Sequence, residues 1–153
     1  MTTSTHTTAT FTPDQPYSFE YDVQIFDTDC YGVIWHGAYV KWLEMGRVDM
    51  LKHLGIDLKQ MSDAHDIVFP VVEQNTRFRA SGRFGDRVRL TTTFTLDGYK
   101  FFFTQQVVAL PGRQRPAEQL LIEAQTTVVM VNLEGRLYRK LPDILYKLLL
   151  GDG

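Results

Sequence analysis

Two carboxylates, a glycine and an imidazole lie close together near the start of the chain, in the order Asp27, Asp29, Gly32 and His36. A carboxylate can attack a carbonyl carbon or take a proton from water, while nearby donors stabilise the developing oxyanion. The pattern of a long helix begins directly after His36, and the first turn of a helix offers unpaired N–H groups. The spacing therefore indicates chemistry on a carbonyl group at a helix N-terminus.

An apolar stripe predicts this helix over residues 38–54. Its members recur at intervals of three or four and are Tyr39, Trp42, Leu43, Gly46, Met50, Leu51 and Leu54. We expect the wetter positions of the helix to be taken by Lys41, Arg47, Asp49 and Lys52. Gly55 is expected to end the helix, because glycine readily adopts the positive φ of a C-terminal cap.

Alternating side chains predict strands in most of the remaining chain. The predicted strands cover residues 17–26, 67–79, 86–96, 100–110 and 117–132. Asp97-Gly98 is a hairpin signal between two of them. We expect a polar connection over residues 57–66 and a short last helix over residues 142–150. Antiparallel pairing of such strands with a single long helix predicts an α+β class.

Length and charge limit the possibilities further. The 153 residues are 44% hydrophobic, which fits one domain with its own core. We assign residues 17–153 to that domain and residues 1–16 to a flexible tail, since residues 1–12 are rich in threonine and serine. The net charge of -2, from 16 basic and 18 acidic side chains, argues against nucleic acid or a membrane surface as a partner.

The compartment and the cofactors follow from two further observations. Cys30 is the only cysteine, which excludes an intrachain disulfide, and no apolar run approaches the roughly 20 residues that span a bilayer. We therefore expect a cytoplasmic protein. A metal site formed by Asp27, Asp29 and His36 lacks the spacing of common metal motifs, so we expect neither a metal nor another cofactor.

Residues 27–47 resemble a known family. They read Asp-x-Asp-x-x-Gly-Val-Ile-Trp-His and then include Tyr39, Trp42, Glu44 and Arg47. This order resembles the hotdog-fold acyl-CoA thioesterases of the 4-hydroxybenzoyl-CoA thioesterase type and their YbgC-like relatives. Residues 78–88 are similar to that family's second strand and turn. The resemblance implies a hotdog fold, in which an antiparallel sheet wraps around one long central helix.

The same resemblance implies roles for the residues around the helix start. Asp29 matches the family's catalytic aspartate, which either attacks the thioester carbonyl or activates water. His36 matches the position whose backbone N–H points at the thioester oxygen, and its ring could position substrate or assist proton transfer. We expect the substrate to be bound by Gly32, Val33, Trp35 and Tyr39, with Arg79 and Arg83 near the phosphates of the coenzyme.

Other interpretations of the acidic residues stay open. Asp29 could be only a turn or cap residue, since aspartate readily bonds local N–H groups. Asp27 is interpreted as a residue that holds the loop by hydrogen bonds. Glu44 is the rival catalytic carboxylate, because a second hotdog class carries its glutamate on the central helix. We interpret Glu44 instead as the structural ion-pair partner of Arg47, one helical turn later.

Several functions remain possible on this fold. The leading hypothesis is hydrolysis of a small aromatic or short to medium acyl-CoA, with an acyl-ACP or polyketide thioester as a close alternative. A 3-hydroxyacyl dehydratase is disfavoured, because Phe69-Pro70 has no neighbouring glycine to complete the His-x-x-x-Phe-Pro-Gly type of motif. A module that binds acyl-CoA without turnover is the non-enzymatic alternative.

The strands also predict a partner of the same kind. One helix cannot cover both faces of the sheet, so we expect a homodimer. The resemblance implies that two sheets join edge to edge, that active sites lie at the subunit interface, and that dimers pair into homotetramers.

Overall fold

A computed structural model of the chain describes residues 10–151. Within them, one antiparallel sheet contains β1 (Thr10–Phe11), β2 (Tyr17–Asp22), β3 (Val71–Phe78), β4 (Arg87–Asp97), β5 (Lys100–Ala109) and β6 (Gln119–Val128). The strand order is β1-β4-β5-β6-β3, and β2 also pairs with β4. The helices are α1 (His36–His53), α2 (Leu58–His65) and α3 (Asp143–Leu150). The predicted α+β class is confirmed.

The long helix α1 packs on the sheet because its apolar stripe meets an alternating strand. Every second residue of β4, from Val88 to Leu96, is buried, as the two-residue period of a strand requires. The buried side chains form one cluster around Tyr39 and Trp42 and a second around Met50 and Leu51. The two halves of α1 thus sit over different parts of the sheet, and the first cluster lies next to the helix start.

The chain departs from the predicted first strand at Asp22. Residues 17–26 were predicted to be extended, but a 3-10 turn covers Ile25–Asp27 and leaves Ile25 exposed. The turn is stabilised by the carboxylate of Asp27, whose Oδ2 accepts a hydrogen bond of 2.8 Å from the N–H of Gln24. A local side-chain acceptor therefore overrides the alternating pattern.

The predicted polar connection over residues 57–66 is wrong, since it contains α2. Asp57 is the N-cap of this helix and its carboxylate accepts from the N–H of Gln60. Asp66 ends the helix with a left-handed φ of 58°. Both are cap signals that the polar composition concealed.

Arg47 is buried, although it was predicted at a wetter position. Only 8% of the residue is exposed, and its Nη1 donates to Oε1 of Gln105 at 3.3 Å. Glu44 is exposed on the helix, so the guanidinium meets an amide of β5 instead of the predicted glutamate. Desolvation lowers the pKa of Arg47, while the charge of Glu44 opposes this shift.

The predicted tail differs from the structure at its end. Residues 1–9 lie outside the described residues, but Thr10 and Phe11 form β1 and pair with Asp97 and Leu96 of β4.

The C-terminal end of α1 agrees with the prediction. Gly55 follows α1 with a φ of +91°, as its predicted capping role requires.

Gly46 marks the closest approach of α1 to the sheet. A Cβ there would lie 2.4 Å from Cδ2 of Leu90 and 2.7 Å from Oγ1 of Thr92. Gln105 Nε2 would be 2.8 Å away, and this atom already donates to the carbonyl of Leu43 and to Oγ1 of Thr92. Glycine is therefore required for packing, despite its cost in a helix.

We expect Gly46→Ala to lower the free energy of unfolding by about 1–2 kcal/mol, because overpacking outweighs the gain in helix propensity. Lys41→Ala on the exposed side of α1 is the control and should change the free energy of unfolding by less than about 0.5 kcal/mol. Urea unfolding of both variants measures the difference. A more stable Gly46→Ala protein would contradict the close packing.

Candidate active site

The loop before α1 is organised by the carboxylate of Asp29. Its Oδ1 accepts hydrogen bonds from the N–H groups of Tyr31 at 2.8 Å and Val33 at 3.3 Å. The backbone of Asp29 also exchanges bonds with Val33 and Gly32. Asp29 is thus a turn residue with an exposed side chain, and the hydrogen bonds described for this side chain use only Oδ1.

Gly32 serves the geometry of this turn. Its φ is +80°, while a Cβ would have open space around it. The requirement is therefore the left-handed backbone and not close contact with another group.

Asp27 holds the base of the loop, in agreement with its interpretation from the sequence. The residue is only 5% exposed, and Oδ2 accepts from the hydroxyl of Tyr21 at 2.9 Å as well as from Gln24 N. Its carbonyl accepts from the N–H of Trp35 at 3.0 Å. Asp27 therefore ties the 3-10 turn to the residue that precedes α1.

The start of α1 has no side-chain cap. His36 is its first residue and Trp35 its N-cap, but an indole nitrogen only donates and cannot cap the first-turn N–H groups. A Cβ on Gly37 would lie 2.1–2.8 Å from atoms of the Trp35 ring, so glycine lets the half-exposed indole lie across the first turn. The N–H of Ala38 donates to the carbonyl of Trp35 at 3.0 Å, while no hydrogen bond is described for the N–H groups of His36 and Gly37. These two groups and the helix dipole make this turn attractive to a developing negative charge.

A cleft of about 330 Å³ borders the helix start. It is lined by Ile34, His36, Tyr39, Phe78, Arg79, Ala80 and Ser81. The Phe78 ring lies 5.7 Å from that of His36 and 5.9 Å from that of Tyr39, between ring centroids. The cleft therefore has an aromatic wall next to the first turn of α1.

A second cleft of about 350 Å³ shares Ala80 and Ser81 with the first. Arg83 lies in it, and the exposed Arg79 lies in the first cleft with its Nε 2.7 Å from Oε2 of Glu123. The two arginines predicted to lie near the coenzyme are therefore in adjoining clefts.

The structure brings together some of the predicted site residues and separates others. His36, Tyr39 and Arg79 line one cleft, whereas the lining of neither cleft includes Asp29, Gly32, Val33 or Trp35. Those four residues belong to the loop that leads into α1. Two exposed aromatic residues of this segment, Tyr31 and Trp35, follow Asp29 in sequence.

Phe78 lines the cleft but was not predicted as a site residue. It is the last residue of β3 and is 54% exposed. A large apolar side chain exposed at the end of an edge strand could have been found only from the pairing of β3 with β6. Across residues 10–151, no group of three or more His, Cys, Asp or Glu side chains could hold a metal ion.

Known proteins of similar sequence place the chain in a family. A family model described as the thioesterase superfamily matches residues 31–115. The acyl-CoA thioester hydrolase YbgC of Escherichia coli is 31% identical over 117 residues, which are 74% of this chain and 82% of that protein. The chain belongs to the thioesterase superfamily. Thioester hydrolysis is thus the chemistry expected of its site.

The chain is also similar to one further relative and to one solved structure. The 1,4-dihydroxy-2-naphthoyl-CoA hydrolase of Rippkaea orientalis is 30% identical over 115 residues, which are 74% of this chain and 80% of that protein. The crystal structure of 4-hydroxybenzoyl-CoA thioesterase from a Pseudomonas species has a TM-score of 0.77 at 20% identity, covering 87% of this chain and 98% of that one. The hotdog fold expected from the resemblance is confirmed. Among the helices of residues 10–151, none is both long and apolar enough to cross a membrane.

The contact between Tyr21 and Asp27 predicts a measurable titration. Burial, the hydrogen bond to Asp27 and the negative charge of Asp27 raise the pKa of Tyr21 to about 12. The neutral phenol is favoured in the folded protein, so its contribution to stability is complete below the ordinary pKa of 10 and is lost as the pH rises towards 12. We expect Asp27→Asn to lower the pKa of Tyr21, as followed by NMR titration of carbon-13-labelled tyrosine.

Asp22→Asn is the control for this titration, because Asp22 is exposed and pairs with Arg87 instead. Asp22→Asn should leave the pKa of Tyr21 nearly unchanged. An equal shift in both variants would show that general charge, and not the Asp27 contact, sets the pKa.

Proposed function

We propose that this protein hydrolyses the thioester of a small aromatic or short to medium acyl-CoA, with Asp29 as nucleophile or general base. The observation that carries the proposal is the placement of the Asp29 turn directly before the uncapped N-terminus of α1. A carboxylate and a set of oxyanion donors are thereby supplied by one continuous segment.

The hydrogen bonds of Asp29 support this role. Oδ1 is engaged by Tyr31 and Val33, which fixes the direction of the carboxylate. Oδ2 then remains for the carbonyl carbon or for a water molecule. The turn interpretation and the catalytic interpretation of Asp29 are therefore compatible, since each uses a different oxygen.

The acyl group fits the aromatic cleft. The rings of His36, Tyr39 and Phe78 offer flat contacts to an aromatic or short aliphatic acyl group, and Arg79 and Arg83 lie where a phosphorylated carrier could extend. Relatives named as YbgC and as 1,4-dihydroxy-2-naphthoyl-CoA hydrolase support CoA as the carrier. A panel of acyl-CoA and acyl-ACP thioesters would separate the two carriers.

We further propose that a second copy completes the site. Asp29 is exposed in the single chain, whereas acyl transfer benefits from a site that excludes water. Strand β3 is an edge of the sheet next to the cleft, and seven of its eight residues are exposed. Such an edge offers unpaired backbone groups to another strand.

The sequence of β3 favours antiparallel pairing with itself. At the end of β3, the N–H of Arg79 donates to the carbonyl of Leu121 at 2.7 Å. Hydrogen-bonded and non-hydrogen-bonded pairs alternate along two antiparallel strands. The backbone N–H and C=O groups of Gln74 and Thr76 therefore point away from β6, towards the free edge of the sheet. A two-fold axis at Asn75 then pairs Gln74 with Thr76 of the second copy. The same register places Glu73 of each copy opposite Arg77 of the other copy, so this charge pair occurs twice. A further pairing of dimers into tetramers and a cytoplasmic location stay predictions from the sequence.

The catalytic role of Asp29 is tested by Asp29→Asn. The amide keeps an oxygen for the N–H groups of Tyr31 and Val33 but cannot act as nucleophile or base. We expect kcat for a good acyl-CoA substrate to fall by at least about 100-fold with an unchanged melting temperature. Thiol release followed with a disulfide reagent measures the rate.

Glu44→Gln is the matched control for Asp29→Asn, because Glu44 is the rival carboxylate. It should retain most of the activity. Activity retained in Asp29→Asn and lost in Glu44→Gln would move the reaction to the helix glutamate.

The edge pairing predicts a charge effect on the dimer. Arg77→Glu would place like charges opposite each other twice, and we expect it to raise the dimer dissociation constant by about 10-fold or more. Sedimentation velocity measures the change. The double variant Glu73→Arg/Arg77→Glu restores opposite charges and should recover the dimer, whereas Glu134→Arg in a distant loop should have no effect. A double variant as weak as the single one would contradict this register.

A further inference from the structure

Asp86 and Arg115 form a buried ion pair in the wall of the second cleft. Arg115 Nε lies 2.9 Å from Asp86 Oδ1 and Nη2 lies 2.9 Å from Oδ2, which is a two-point contact. The side chain of Asp86 is 2% exposed and that of Arg115 is 11% exposed. Most other ion pairs of the described residues are far more exposed. A pair in this position is desolvated and must be held by good geometry.

Further donors complete the shell around Asp86. Gln114 Nε2 donates to Oδ1 at 3.0 Å, and the N–H of Arg83 donates to Oδ2 at 2.8 Å. Burial alone would raise the pKa of Asp86, but these bonds and Arg115 hold it below its usual range. The carboxylate therefore joins the loop of residues 112–116 to the turn of residues 80–86.

Arg115 also forms a hydrogen bond to the backbone of the turn. Its Nη2 donates to the carbonyl of Ser81 at 2.8 Å, and its Nη1 bonds to Gln119. All three nitrogens of the guanidinium are thus engaged inside the protein. Arg115 lines the same cleft as the exposed Arg83, but most of its N–H groups are already used inside the protein, whereas those of Arg83 face the cleft opening.

Gly82, the next residue, connects this turn to the site. Its carbonyl accepts from the N–H of Ile34 at 2.9 Å, and its own N–H donates to the hydroxyl of Tyr39 at 3.3 Å. A Cβ on Gly82 would lie 2.3 Å from Cδ1 of Ile34 and 2.9 Å from Cδ1 of Leu121. The turn thus touches both the end of the Asp29 loop and the first turns of α1 at close range.

We propose that Arg115 and Asp86 are positioning residues, which fix the Asp29 loop relative to the N-terminus of α1 through the backbone of Gly82. Both line the second cleft, but the role proposed here acts through the protein backbone and not through a contact with the substrate. Their contribution is to keep the carboxylate and the oxyanion donors at the separation that the reaction needs. This inference rests on the proposed function, because it assigns to thioester hydrolysis by Asp29 the purpose of the Asp86–Arg115 ion pair, which we call the clasp.

The expected effect follows from the geometry. A displacement of about 1 Å in a catalytic group can cost on the order of 100-fold in rate. Substrate affinity depends on the cleft and the coenzyme contacts, which remain. Loss of the clasp should therefore lower kcat and leave KM within about threefold of the wild-type value.

Arg115→Gln in the full chain tests the proposal, with Arg89→Gln as the matched control. Arg89 makes two hydrogen bonds to Glu118 but has no bond to the turn of residues 80–86 among those described. We expect kcat to fall by about tenfold or more in Arg115→Gln and to change by less than about twofold in Arg89→Gln, at a temperature where circular dichroism shows both folded. Arg115→Lys, which keeps the charge but not the two-point contact, should be intermediate.

Hydrogen exchange supplies a readout that does not depend on activity. Arg115→Gln should raise exchange at the N–H of Ile34 and across residues 28–37, while Arg89→Gln should leave this segment unchanged. Equal exchange and equal kcat in the two variants would overturn the positioning role. A raised KM with an unchanged kcat would also overturn it, since Arg115 would then act in binding.

The proposed function and the positioning role of Arg115 can fail separately. If the wild-type protein hydrolyses no acyl thioester, the proposed function fails, and exchange alone decides whether the clasp holds the loop. If the wild type is active and Arg115→Gln matches Arg89→Gln in kcat, only the positioning role fails.

Discussion

The backbone of Gly82 is the point at which the parts of the site are held together. It bonds to Ile34 at the end of the Asp29 loop and to Tyr39 in α1. Only glycine fits there, because a side chain would overlap Ile34 and Leu121. The distance between the carboxylate loop and the helix start is therefore set by a backbone contact, which leaves little freedom for the groups that would meet the thioester.

The Asp29 loop combines two requirements in one residue. A loop that presents a carboxylate needs its N–H groups satisfied, and Asp29 does this with one oxygen while the other stays available. Asp27 stabilises the same loop from the buried side through Tyr21 and Gln24. Two acidic residues two positions apart thus have different tasks, because one is buried and the other faces outward.

The sequence predicted the elements whose signal is local and periodic. The stripe of α1, the alternation of β4 and the capping role of Gly55 are of this kind. It did not predict the burial of Arg47 or the clasp of Asp86 with Arg115, because both depend on residues far apart in the chain. Helix α2 was missed for a different reason, since its caps Asp57 and Asp66 resemble a polar loop in composition.

The central claim is that Asp29 and the first turn of α1 face the same thioester. A crystal structure with a non-hydrolysable acyl-CoA analogue tests it most directly. The account predicts the carbonyl oxygen about 2.7–3.1 Å from an N–H of the first turn of α1 and the Asp29 carboxylate within about 3.5 Å of the carbonyl carbon or of a water beside it. A carbonyl bound away from the helix start, with Glu44 as its nearest carboxylate, would contradict the account.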